Sequence, residues 1–369
     1  MSAICFDHVD EVFGEQPETA FSLMDQSRSR DEIFDQTGQL VAVRDACLRV
    51  EEGEICVLMG LSGSGKSSLL RAINGLNPIS RGQLTVRCAG AEVDMAHCSA
   101  KQLQEVRTRG IAMVFQNFAL MPWLNVEENV AFGLHALQLS AKENKRRVDA
   151  VLEQVALGRR RHALPAELSG GMQQRVGLAR ALVVDSDILL MDEPFSALDP
   201  LIRNQLQDEL LSLQKMLRKT IVFVSHDMDE ALKLGSHIAI LRDGQIVQNG
   251  TPQDIMFKPA DDYVRQFVQH SNPLNVLSAA SLMRPGHFPS LEGMAAKELA
   301  RPALQYWHAS EPLALLRAKP TVVDADIRLR EAFAVYAQTG CELILAQNGK
   351  MIGRLSGAEM SRAILGQAV

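Results

Sequence analysis

Long apolar runs are missing from this 369-residue sequence: no stretch approaches the ~20 apolar residues that span a bilayer, and no basic-then-apolar leader opens it. Any membrane role is therefore expected to pass through a partner. Metal-ligand spacing is missing too. The six cysteines, Cys5, Cys47, Cys56, Cys88, Cys98 and Cys341, form no C-x-x-C pair, which predicts reduced cytoplasmic thiols and assigns them no chemistry. Nor is there an excess of positive charge. The 38 Lys and Arg stand against 44 Asp and Glu, a net charge of −6, which argues against a dedicated nucleic-acid binder. The length exceeds what one small core needs and suggests two domains, or one large domain with an appendage.

What the sequence does have is the octet Gly60-Leu61-Ser62-Gly63-Ser64-Gly65-Lys66-Ser67, a G-x-x-x-x-G-K-[ST] pattern. An apolar run at 55–59 reads as the strand that feeds it, and 68–74, starting at Ser68, as the helix that leaves it. Glycines at 60, 63 and 65 let the backbone wrap a polyphosphate so that N–H groups and the helix N-terminus face its oxygens. Lys66 would bridge the terminal phosphates and Ser67 would ligand Mg²⁺.

Other candidates follow in chain order. Residues 4–13 alternate loosely and predict an edge strand ending at Phe13, whose ring either stacks on a base or is plain core. Residues 15–39 are polar and helix-compatible, and strand patterns resume at 40–43 and 47–50. Further strands are expected at 82–86 and 111–115, with a charged helix or turn at 101–109 between them. The second of these strands ends in Gln116, which reaches either a metal or attacking water, or is a surface amide. Residues 126–155 turn helical, with Lys142, Lys145, Arg146 and Arg147 read as a solvated face. The run Leu168-Ser169-Gly170-Gly171-Met172-Gln173 opens a second anion-receptive helix N-terminus. A buried strand at 188–191 ends in Asp192-Glu193, read as a Mg²⁺ ligand and a general base. After Ser196 and Asp199 comes an amphipathic helix at 201–217, then a strand at 220–224 ending in Ser225-His226-Asp227. Ligands of open α/β sheets bind at the carboxyl ends of strands, which makes His226 a candidate γ-phosphate contact.

This ordered set resembles the ATP-binding subunit of ABC transporters across roughly residues 1–270. The resemblance implies an α/β fold: a P-loop nucleotide-binding domain with a RecA-like core, an antiparallel β subdomain and a helical subdomain at about 117–175. It further implies two chains facing head to tail, the phosphate loop of one and Ser169, Gly170 and Gly171 of the other clamping each MgATP. In that family Phe13 corresponds to the adenine-stacking aromatic and Gln116 to the loop coupling to the membrane subunit. Asp199 corresponds to the inter-subunit contact and His226 to the γ-phosphate switch. The insertion at 15–39, the run 111–122 and the run 195–203 look like quaternary-amine importers of glycine betaine, proline betaine, choline or carnitine. Such a cassette works at the cytoplasmic face of the membrane with an integral permease and a periplasmic or extracellular binding protein.

The end of the chain reads as a separate small α/β unit. After an expected break at 271–273 and a weakly periodic linker or degenerate segment to about 310, strands at 321–323, 342–346 and 351–355 alternate with helices at 329–338 and 358–365. Asn348-Gly349 is a hairpin signal. This order over 311–369 resembles one cystathionine-β-synthase-type (CBS) repeat, which related importers carry as a tandem pair.

Overall fold

Strand β1 (Ser2–Phe13) buries Ile4, Phe6 and Val9, and the odd spacing between the last two marks a bulge, where the pairing register shifts and His8 takes φ 50°. The computed structural model describes residues 1–116, 119–196, 198–269, 271, 278–285, 305–308 and 312–364. β1 is not the edge strand its loose alternation suggested. Helices α1 (Glu18–Asp25) and α2 (Arg30–Thr37) follow, and then β2 (Leu40–Glu51), which pairs with one side of β1 while β4 (Arg81–Cys88) pairs with the other. β5 (Ala91–Asp94) completes the antiparallel order β2-β1-β4-β5. β2 is one strand where two were expected. Asp45, at φ 51°, interrupts the apolar pattern, yet its amide donates to the buried Asp10 carboxylate (2.7 Å), which also accepts from Arg81 Nε (2.6 Å).

Glu11, next to Asp10 on β1, is fully buried, with Oε2 accepting from Asn77 Nδ2 at 3.2 Å and Oε1 lacking a hydrogen-bond partner. Burial pushes its carboxyl up from 4.5 to about 7, against the Asn77 hydrogen bond. Between those two values the folded state holds more protons than the unfolded, so Glu11 costs stability as pH rises through that window. Glu11→Gln removes the cost. We expect its stability relative to the parent to rise by up to about 3 kcal/mol between pH 5 and pH 8, read by denaturant unfolding at both. A pH-independent difference would contradict the burial of the carboxyl.

The central sheet has the order β10 (residues 245–250), β9 (237–242), β3 (55–59), β8 (220–224), β7 (188–192), β6 (111–114). Its inner strands are continuous apolar runs, as strands covered on both faces must be. β3 (Ile55–Met59) leads to α3 (Lys66–Ile73), and α4 (Ala100–Glu105) runs through one π-helical turn into β6 (Ile111–Val114). Then come α5 (Val126–Phe132), α6 (Ala141–Gln154) and α7 (Gly170–Leu182), whose inward faces share a separate core around Val130, Leu134, Leu152 and Val176. β7 (Ile188–Asp192), α8 (Pro200–Leu217) and β8 (Thr220–Val224) return to the sheet; α9 (Met228–Leu234) follows in the chain, and β9 (His237–Arg242) and β10 (Gln245–Gly250) finish the sheet. β3, β6, β7, β8 and β9 are mutually parallel, so their carboxyl ends lie together.

By packing, the chain divides into two compact units, residues 1–227 with 234–249, and residues 228–233 with 250–369. Helices α10 (Pro252–Phe257) and α11 (Asp262–Val268) therefore group with the second unit, ahead of the break expected at 271–273, of which only Ser271 is described. That unit holds a five-stranded sheet. Two of its strands come from the stretch expected to be linker: β11 (Arg284–Pro285) pairs with β15 (Lys350–Leu355), and β12 (Gln305–Tyr306) pairs in parallel with β13 (Thr321–Asp324). Trp307, 4% exposed, packs into its core. Helix α12 (Leu329–Thr339), strand β14 (Leu343–Gln347) and helix α13 (Gly357–Ile364) complete it, with Asn348 at φ 50° and Gly349 at φ 78° in the expected hairpin turn. The rest of the weakly periodic stretch lies outside the described residues. Among the described residues, no helix is long and apolar enough to cross a membrane.

Candidate active site

β3 is buried along its whole length and runs straight into the phosphate-loop octet. Two positions there exclude a side chain. A Cβ on Gly60 (φ 143°) would lie 2.2 Å from the Leu241 carbonyl oxygen, and one on Gly65 (φ 102°) 2.5 Å from that of Ala42. Lys66 opens α3 and is buried, with Nζ donating to the Gly60 and Leu61 carbonyls at 2.9 Å each. Burial lowers its pKa, and the nearby Glu193 and Asp192 carboxylates oppose that shift. Ser64 Oγ is buried with no hydrogen-bond partner, a polar atom that a ligand oxygen would satisfy. Leu61, Ser62 and Gly63 are exposed at the tip, and Ser68 sits half-buried in the first turn of α3.

The end of β7 faces this loop. Asp192, 4% exposed, accepts from Ser67 Oγ at 2.9 Å on one oxygen and from Arg71 Nη2 at 3.2 Å on the other. Ser67 and Arg71 are one helical turn apart, so both project from the same face of α3. Pairing on both oxygens is what permits a carboxylate to be buried there. Glu193 adopts φ 43°, in the left-handed region that a non-glycine residue enters at a cost of about 1 kcal/mol. Its amide donates to the Val224 carbonyl (3.1 Å), which ties it to the end of β8. There its Oε2 lies 3.2 Å from Nδ1 of the exposed His226. Arg203 of α8 holds the adjoining turn, with Nη1 3.2 Å from Asp227 Oδ2 and Nη2 donating to the Leu198 carbonyl (3.2 Å).

Gln116 is exposed, two residues past β6. Phe13 is half-buried at the end of β1 and pairs with Leu40. The phosphate loop, Asp192, Glu193, His226 and Gln116 thus gather at one end of the parallel strands. The other predicted residues lie at two helix starts. Ser169 caps α7, accepting from the Met172 amide at 3.4 Å, and Asp199 caps α8, accepting from the Leu201 and Ile202 amides at 3.2 and 3.1 Å. Gly170 and Gly171 form the first turn of α7, and a Cβ on Gly171 would come within 2.6 Å of Ile202 Cγ2 on α8. The second glycine therefore serves helix packing, which the sequence reading missed. Arg71 and Arg203 were missed as well; the i, i+4 spacing from Ser67 was the available signal for Arg71.

A groove of 380 Å³ opens along β6 and Phe115, the residue before Gln116, lined also by Met113, Met121, Phe132, Ala136 and Arg180. Arg180 reaches over it to the Ala119 carbonyl (2.7 Å), and burial lowers its pKa.

A family model described as ABC transporter matches residues 43–196. The glycine betaine/proline betaine transport system ATP-binding protein ProV of Escherichia coli is 50% identical over 274 residues, covering 74% of this chain and 68% of that protein. The glycine betaine/carnitine transport ATP-binding protein GbuA of Listeria monocytogenes is 38% identical over 364 residues, covering 99% and 83%. Among solved structures, a dimeric ATP-binding cassette in a post-hydrolysis state bound to ADP and Pi is 28% identical with a TM-score of 0.56, covering 68% of this chain and 98% of that one. With a relative matched along almost its whole length and the nucleotide-loop geometry in place, the chain belongs to the ATP-binding subunits of the ABC transporter family.

Proposed function

We propose that this chain hydrolyses ATP to energise an importer of quaternary amines such as glycine betaine or choline. The chemistry rests on one observation, the convergence of the phosphate loop, the Ser67–Asp192 pair and the Glu193–His226 pair at the same sheet end. The cargo rests on what the relatives are named for.

In this reading the loop amides and Lys66 hold the β- and γ-phosphates, and the Phe13 ring takes the adenine. Ser67 and Asp192, already 2.9 Å apart and both oxygen donors, fit Mg²⁺, with Gln116 as a third ligand. The ion when bound offsets charge on the phosphoryl oxygens. Glu193 orients and deprotonates the attacking water, and His226, held beside it, contacts the γ-phosphate. The first turn of α7 with Ser169, Gly170 and Gly171, and Asp199 at the start of α8, act across a head-to-tail pair of chains. Catalysis is then mostly positioning and electrostatics, completed when two copies close.

The groove along β6, with Phe132 exposed in its lining and Trp123 exposed two residues after its lining Met121, is the face we assign to the integral permease, since aromatic apolar surface of this kind marks interfaces. That placement puts the chain on the cytoplasmic side of the membrane, with the solute met only by the permease and an outer binding protein. Within the C-terminal unit, in the same reading, residues 311–369 are a single CBS-type repeat, to whose sheet β11 and β12 add from outside that range.

The test is uptake of labelled glycine betaine, choline and proline by cells lacking this chain, with the full-length chain restored. Rescue of one amine is expected. Failure with all three, in cells whose permease is intact, would remove the quaternary-amine cargo and leave an importer for another small solute.

A further inference from the structure

The insertion at 15–39 has no part in the scheme above, yet one of its side chains reaches the phosphate loop. Arg30 is the first residue of α2, which is fixed in two ways. A capping box between Ser29 and Glu32 starts it, and Ile33 packs with Ala20, Met24, Val12 and Val41 in a small core of its own. From that anchored position the guanidinium donates to three backbone carbonyls: Val41 at 2.5 Å, Gly63 at 2.9 Å and Ala42 at 3.5 Å. Two belong to β2 and one to the tip of the loop. The planar fork of an arginine suits such a set, and a lysine ammonium cannot span it.

Gly63 has little else to hold it. It is exposed at φ 78°, and an added Cβ would meet nothing within 4 Å, so packing does not fix its peptide, which is tethered at its other end by the Ser64 amide donating to the Leu61 carbonyl at 3.2 Å. A peptide held at that amide alone can still tilt its carbonyl, the negative end of its dipole, toward bound phosphates. Arg30 holds that oxygen against the insertion. Gly65 is meanwhile pressed against the Ala42 carbonyl, so α2, β2 and the loop form one braced unit.

We propose that Arg30 is a positioning residue for nucleotide binding, keeping the Gly63 carbonyl out of the phosphate cradle and the loop anion-receptive. This rests on the ATP reading of the site and adds to it a role for the insertion. The effect falls on ligands that carry phosphates and not on the nucleoside.

The experiment is equilibrium dialysis of the full-length chain against MgATP, MgADP and adenosine, with thermal unfolding in the absence of nucleotide. For Arg30→Ala we expect affinity for MgATP and MgADP to fall about tenfold, the loss of one charge-assisted hydrogen bond, with adenosine unchanged. Arg30→Lys, which reaches one carbonyl, falls in between at about threefold. Parent-like MgATP affinity in Arg30→Ala overturns the proposal, as does an equal loss for adenosine, which would make Arg30 purely structural. If Arg30→Ala does not fold, Arg30→Lys carries the test, and unchanged MgATP affinity in it overturns the proposal. A parent chain that binds no MgATP would instead sink the ATP reading itself.

Discussion

Glu193→Gln is expected to lower the rate of ATP hydrolysis by about 10²–10⁴-fold, the range supplied by a positioned general base, while MgATP binding stays within about threefold of the parent. The substitution keeps size and hydrogen bonding but removes the carboxylate that faces His226 at 3.2 Å. Glu193 also sits in the left-handed region of backbone space, and glutamine must be held there by the same Val224 hydrogen bond. The unfolding midpoint should therefore barely move, which separates a chemical loss from a folding loss. Steady-state phosphate release and nucleotide binding on the same preparation check it. Hydrolysis near the parent rate would take the base assignment away from Glu193.

Gly60→Ala should have the largest structural effect of any single methyl added to the loop. Its Cβ would meet backbone, the Leu241 carbonyl at 2.2 Å, and backbone of a central strand end cannot step aside as a flexible side chain can. Either the loop or the end of β9 must shift, which by the usual range for overpacking and strain costs about 2–4 kcal/mol. MgATP affinity should drop more than about a hundredfold, since the displaced loop carries Lys66 and the phosphate-facing amides. Gly63→Ala is the control. It has open space and only the positive φ to contend with, at a cost of about 1 kcal/mol. Denaturant midpoints without nucleotide compare the two, and equal losses would mean that the Leu241 contact relaxes freely.

Much of this molecule was readable from local pattern. The strands at 188–192 and 220–224 are unbroken apolar runs ending in chemistry-bearing residues, and nothing but a buried parallel sheet accommodates them. The Asn348-Gly349 turn needed only its two residues. The misreadings have a common cause, which is that the deciding partner is far away in sequence. β1 looked like an edge strand because its alternation breaks at His8, and its inner position depends on β4, some 80 residues on in the chain. β2 looked like two strands because Asp45 reads as a break until Asp10 is seen to bind its amide. Arg71 and Asp192 are 121 residues apart, and Gly171 meets Ile202 only where two helices cross. In the C-terminal unit, two-residue strands carry too little pattern to register at all.

The strand order also dictates when this domain can exist during synthesis. β3 lies between β8 and β9, with Ile55 paired to Ile221 and Cys56 to His237. Until about residue 224 has left the ribosome, the strand that bears the nucleotide loop has neither neighbour, and until about residue 240 it has only one. At the usual 5–20 residues per second, the gap is on the order of 10–40 s. Throughout it a fully apolar strand is exposed on the nascent chain, which makes the unfinished chain a natural client for holding chaperones.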